Sequence, residues 1–158
     1  MDTAGLYAAI AAANATTGPA TVNISLSPGT YTLNSGELDI TRTSGAVTIH
    51  GNGAIIDAQG VSRVLETDAG TNVTLQDLTL EDGLAGPSAP TLPSAGGGIL
   101  NAGNLSLNNV TLSHDTAQGS NATVGGGNGG TGQGGGLYSS GGSVAINNAT
   151  FSNDKALG

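Results

Sequence analysis

Three stretches of the chain repeat one arrangement of apolar and polar positions. Val73-Thr74-Leu75-Gln76-Asp77-Leu78-Thr79-Leu80, Leu105-Ser106-Leu107-Asn108-Asn109-Val110-Thr111-Leu112 and Val144-Ala145-Ile146-Asn147-Asn148-Ala149-Thr150-Phe151 align without gaps. Each reads apolar-polar-apolar, two polar residues, then apolar-polar-apolar. A period of two predicts strands with one buried face, and the polar pair predicts a turn between two short strands. A weaker copy runs through Val47-Thr48-Ile49, a turn at Gly51, Asn52 and Gly53, and Ile55-Ile56-Asp57. Val47, Val73, Leu105 and Val144 open the copies at intervals of 26, 32 and 39 residues. The growth falls in two long loops, 83–95 and 117–133, rich in Gly, Ser, Thr, Asn or Pro.

A third strand signal accompanies each copy: Leu38-Asp39-Ile40-Thr41, Val64-Leu65-Glu66-Thr67, Gly97-Gly98-Ile99-Leu100 and Gly135-Gly136-Leu137-Tyr138. Three short strands per repeat without a helix between them predict one coil of a right-handed parallel β-helix, an all-β solenoid of four to five coils. An antiparallel sandwich built from hairpins is the alternative, and it calls for two-residue Asn-Gly or Asp-Gly turns with varying strand spacing.

The N-terminus departs from the pattern. Leu6 to Ala13 is Ala-rich and predicts a helix over 3–14, with Thr3 as its cap, lying over the first coil. Such a cover hides backbone groups that would otherwise template aggregation. Val22-Asn23-Ile24-Ser25-Leu26, a Ser27-Pro28-Gly29 turn and Thr30-Tyr31-Thr32-Leu33 read as an incomplete first coil. The coils then occupy 21–158 of a single domain, 1–158. At Asp154-Lys155-Ala156-Leu157-Gly158 the pattern is entering another loop and no cap is visible, which predicts a fragment or an end open to a partner.

Composition narrows the class. Among 158 residues there are 28 Gly and no Trp, and aromatics make up 3%, so a core of large rings is excluded. Regular alternation with 37% apolar residues argues against disorder throughout. Eleven acids face only Arg42, Arg63 and Lys155, giving a formal charge of -8. Nucleic acid, which is held by neutralising phosphates, is excluded as a partner, and anionic membrane surfaces are disfavoured. The absence of Cys removes disulfides and thiolate metal sites and is compatible with export. No stretch is long enough for a helix to span a bilayer, so membrane insertion is not expected.

At Gly96-Gly97-Gly98-Ile99-Leu100-Asn101 and Gly134-Gly135-Gly136-Leu137-Tyr138, each leading into a strand-Asn-strand unit, the chain resembles the pectate-lyase-like β-helix repeats of bacterial adhesins and polymorphic outer-membrane proteins. The entry from Leu6 to Leu33 is similar to the start of those exported domains, and the resemblance covers nearly the whole chain. It implies the fold and an extracellular or bacterial cell-surface location. That fold serves lyases, hydrolases, adhesins and scaffolds alike. Where those repeats carry Asn in a Phe-x-x-Asn pattern, this chain has Asp115 and Asp154, and the Phe occurs once, as Phe151.

Stacking coils about 4.8 Å apart places Asn108 and Asn109 beside Asn147 and Asn148, an internal amide ladder suited to a turn that needs left-handed backbone. Gly83, Asp115 and Asp154 share a column, flanked by Asp82, His114 and Asn153. Two stacked carboxylates repel unless they splay into water or share a cation, and calcium suits such oxygens, so Asp115 and Asp154 are calcium candidates against a plainer reading as solvated turn acids. The run 125–136 contains no Asp, unlike calcium-binding Gly-rich repeats, and no Lys-Ser or Lys-Thr follows it as in a phosphate-binding loop.

Catalytic constellations are sparse. Arg42 and Arg63 each follow a strand without a matching acid cluster. Asp57 and Asp77 fall in different columns, and His50 and His114 lie apart from any nucleophile. Thr48 and Thr74 line up but give way to Ser106 and Ala145, leaving Thr79, Thr111 and Thr150 as a single outward Thr column, too narrow for an ice-binding plane. The expectation is a non-enzymatic extracellular structural or adhesion module, without catalytic residues or bound cofactor. Its ligand is a surface or polysaccharide partner met through the loops. A carbohydrate-active enzyme or carbohydrate-binding module of the same fold is the alternative. Head-to-tail self-association through the coil ends into filaments is the third.

Overall fold

A computed structural model of the chain describes residues 1–86, 94–121 and 129–158. The protein is mostly β, with one N-terminal helix and strands gathered in parallel sheets. The first sheet contains β1 (Thr21–Ser25), β2 (Thr30–Thr32), β4 (Ala46–Asp57), β6 (Asn72–Glu81), β9 (Asn104–Ser113) and β12 (Ser143–Ser152). Its order is β1-β4-β6-β9-β12, with β2 also on β4. The second holds β3 (Leu38–Ile40), β5 (Leu65–Thr67), β8 (Ile99–Asn101) and β11 (Leu137–Ser139), and the third holds β7 (Leu84–Ala85), β10 (Thr116–Gln118) and β13 (Lys155–Leu157). From β6 onward the chain visits the first, third and second sheets in that order and then returns to the first.

Register follows the repeat. Val73 pairs with Val47 and Leu105, and Leu105 with Val144; Leu75 pairs with Ile49 and Leu107, and Leu107 with Ile146. A one-residue slip would turn every apolar side chain outward, so alternation itself fixes the pairing. The aliphatic columns of β4, β6 and β9 are buried, while in β12 Ile146 and Phe151 remain 53% and 44% exposed.

The interrupting polar pair behaves differently from the predicted turn. β6, β9 and β12 each run unbroken over ten residues. Asp77, Asn109 and Asn148 bend them with φ of 54°, 55° and 59°. Asp and Asn tolerate this left-handed conformation better than β-branched residues, so one residue redirects the strand and no loop is needed.

Helix α1 (Thr3–Ala15) buries Leu6, Ile10 and Ala13, spaced four and three apart along one stripe, and packs on β1, β2 and β3. Its cap is Asp2 and not Thr3: the Asp2 carboxylate accepts the Gly5 N–H at 2.8 Å. Thr3 already has helical backbone, so its hydroxyl cannot act from the flanking position. Asp2→Ala is expected to lower stability by about 1 kcal/mol, seen as a small fall in melting temperature. Arg42 ties the helix exit to the sheets. Its guanidinium donates to the carbonyls of Thr16, Gly18, Ala20 and Ala46 at 2.5–3.0 Å.

Loop boundaries need one correction. β7 lies within the segment expected as loop 83–95, and β10 runs two residues into the one expected as loop 117–133; Leu84 and Thr116 pair in parallel register and Thr116 continues to Lys155. The excursions therefore start later, and their central residues, 87–93 and 122–128, fall outside the described residues.

Candidate functional site

The column predicted from Gly83, Asp115 and Asp154 is present, and its chemistry differs from two splayed acids. Asp115 Oδ1 accepts the Gly83 N–H at 2.8 Å, and Asp154 Oδ1 accepts the Asp115 N–H at 3.0 Å. Each Asp thus caps the backbone one repeat earlier. Asp115 is 0% exposed. Burial pushes its carboxyl up to about 8; the Gly83 N–H opposes this, while the Asp154, Asp82 and Glu81 carboxylates add to it. Burial likewise raises Asp154, opposed by the Asp115 N–H and by His114. Besides water and a cation, a proton is a third way to relieve the repulsion.

The flanking column is also as aligned. Asp82, His114 and Asn153 share left-handed φ values of 53°, 59° and 60°, and Asn153 Nδ2 lies 3.3 Å from His114 Nε2. The predicted Asn ladder is extended by an acid. Asn148 Nδ2 donates to Asn109 Oδ1 at 3.0 Å, and Asn109 Nδ2 donates to Asp77 Oδ1 at 2.8 Å. Amide donation from Asn109 and then Gln76 holds the Asp77 carboxyl below its ordinary range. Asn108 and Asn147 are register partners on the outward face beside it. Around the bend, Gly53, Asp77, Leu78, Thr79, Asn109 and Thr111 line an open depression of about 200 Å³.

Two clusters were not anticipated. Carboxylate oxygens of Asp57, Glu81 and Asp82 all lie within 4.8 Å of one another on the outer side of β4 and β6. Asp57 pairs with Glu81 in register, and Asp57 Oδ1 also accepts the Gln59 N–H at 2.7 Å. Burial raises Glu81, with Asp57 and Asp82 reinforcing it and His114 opposing. Aligning Ile56 with Leu80 places Asp57 beside Glu81, a match that comparing Asp57 with Asp77 passes over.

The second cluster corrects the expectation for Arg63, which does have matching acids. Its Nη1 lies 2.6 Å from Glu37 Oε2 and 2.7 Å from Glu66 Oε2. Nε and Nη2 donate to the carbonyls of Gly96 and Ala95. Glu37 comes from the stretch before β3 and Glu66 from β5, so the grouping is made by stacking and has no sequence spacing of its own. Burial raises Glu37 despite the opposing Arg63 charge.

Arg42 is spent on carbonyls, and the His50 ring lies 3.4 Å from Asn23 Oδ1. Comparison with family models, with curated proteins and with solved structures finds no match to this chain.

Proposed function

We propose that the chain is a right-handed parallel β-helix serving as a non-enzymatic adhesion scaffold of an exported bacterial surface protein, binding polysaccharide through its long insertions. The observation carrying this reading is where the insertions sit. Both leave the body after a third-sheet strand, β7 or β10, and return before a second-sheet strand, β8 or β11. Before, between and after them, β6, β9 and β12 are each ten residues long and keep an unchanged register. Variation confined to one seam of a constant framework is how recognition loops are presented. The repeated cycle through three parallel sheets from β6 onward supports the coil reading. The resemblance of the triple-glycine units to adhesin repeats supports the location.

Replacing 87–93 and 122–128 with short Gly-Ser links is expected to weaken binding to an immobilised polysaccharide panel more than tenfold while leaving the melting temperature within a few degrees. Undiminished binding by the shortened protein would refute the assignment to the loops.

The Asp57, Glu81 and Asp82 cluster favours a second reading, a glycoside hydrolase. Its spacing is nearer the roughly 5 Å of retaining carboxylate pairs than the 6.5–9.5 Å of inverting ones, and the raised Glu81 would be the acid. On this reading, Glu81→Gln removes at least a hundredfold of the activity on a uronic-acid or neutral polymer, followed as new reducing ends. No product over the panel disposes of the hydrolase. Head-to-tail filaments receive less support, because α1 already occupies the first coil.

A further inference from the structure

Among the described residues, Asp115 and Asp154 stand apart in burying a carboxylate oxygen, Oδ2, with no hydrogen-bond partner. A buried ionised oxygen without a donor is strongly disfavoured, whereas a protonated carboxyl tolerates the same place. The seat is made of glycine. A Cβ at Gly98 would fall 2.4 Å from Asp115 Oδ2 and 2.6 Å from the Gly136 carbonyl, and a Cβ at Gly136 would fall 2.5 Å from Asp154 Oδ2. Any side chain at either glycine would displace the carboxyl above it.

Gly98 is also a junction between successive repeats. Its carbonyl accepts the N–H groups of Val64 and Leu65, while its own N–H donates to Gly135 and that of Ile99 donates to Gly136. Gly96 and Gly97 continue the line to Gln133 and Gly134. A change of charge at Asp115 therefore acts on the hydrogen bonds that return both long insertions to the body. Facing the carboxyl are Glu81 and Asp82 from the repeat before and Asp154 from the repeat after. His114 adjoins Asp115 in the chain, and the Lys155 N–H donates to the Asp115 carbonyl. Arg63 grips the carbonyls of Ala95 and Gly96 nearby.

We infer that Asp115, seated on Gly98, is a protonation latch for the return segments 94–98 and 133–136. With its proton the seam stays closed; once ionised at mildly alkaline pH it loosens the seam while the first sheet remains paired. The sign follows from the folded carboxyl sitting above its ordinary value, at about 8. Its contribution to closure is complete below about pH 4, is lost progressively as pH rises, and is gone above about pH 8. Within that window each pH unit changes the closing equilibrium about tenfold.

Hydrogen exchange on the full chain from pH 5 to 9, corrected for intrinsic rates, tests this. Protection of the peptides covering 94–101 and 133–139 is expected to fall about tenfold per pH unit and to level off above about pH 8, with the centres of β6 and β9 changing less. Asp115→Asn should flatten the profile of those peptides. A flat wild-type profile, or an unchanged slope in Asp115→Asn, overturns the latch. Should Asp115→Asn fail to fold, the carbon-13 titration of the wild-type Asp115 carboxyl decides: a midpoint near 8 supports the latch and one near 4 overturns it. Millimolar calcium raising protection in wild type but not in Asp115→Asn would also overturn it, by assigning the carboxylate to a cation.

Discussion

Arg63→Ala is expected to destabilise the protein by about 3–5 kcal/mol, the range for removing one member of a buried ion pair. The guanidinium is 0% exposed, and its Glu37 and Glu66 partners keep only 15% and 29% side-chain exposure. Deleting it leaves two acids to repel each other beside Asp39, and strands the carbonyls of Ala95 and Gly96. The loss is a property of the vacancy more than of the pair. Arg63→Met combined with Glu37→Gln and Glu66→Gln should recover much of it, because the desolvated charges vanish together. Urea denaturation at neutral pH measures both. A loss below about 1 kcal/mol for Arg63→Ala would show that water replaces the guanidinium freely.

The second large effect separates two residues of one column. Leu107→Ala is expected to cost about 3–4 kcal/mol, because it opens a cavity between β6 and β12 where Leu107 is wholly buried. Ile146→Ala, its register partner, is expected to cost under about 1 kcal/mol, since half of that side chain already meets water. Equal losses in equilibrium denaturation would mean that β12 is covered in solution, and sedimentation would then show whether a second copy covers it.

These expectations rest on the part of the molecule most legible in the chain. Period-two alternation named the inward residues of β4, β6, β9 and β12, because side-chain direction in a strand is set by parity alone. It also placed Asp115 over Gly83 and Asn148 over Asn109. Two adjacent polar residues look alike in a turn and in a strand bend; only φ distinguishes a left-handed residue inside a strand from a loop. Asp2 and Thr3 are both good capping types one position apart, and only the Gly5 N–H contact singles out Asp2.

The Arg63 cluster has no sequence spacing of its own. Glu37 stands just before β3, and Arg63 and Glu66 lie just before and within β5, the neighbouring strand of the same sheet, so they meet through stacking and the reach of the arginine side chain. Asp115 is visible in the sequence as an acid in a column, but its burial and the upward push on its carboxyl are not. They depend on Gly98 beneath it, where a Cβ would fall 2.4 Å from Asp115 Oδ2.

The changing interval between register partners has a consequence for how the protein tolerates length. Closing a segment of 39 residues instead of 26 adds only about 0.4 kcal/mol of chain entropy, because the penalty grows with the logarithm of length. Each strand of the first sheet from β4 to β9 bonds only to strands one repeat away, so the increment stays local to its own pair. The seam after β7 and β10 is therefore a natural graft point: foreign peptides of a dozen or more residues could be displayed there at constant spacing while the framework beneath keeps its register.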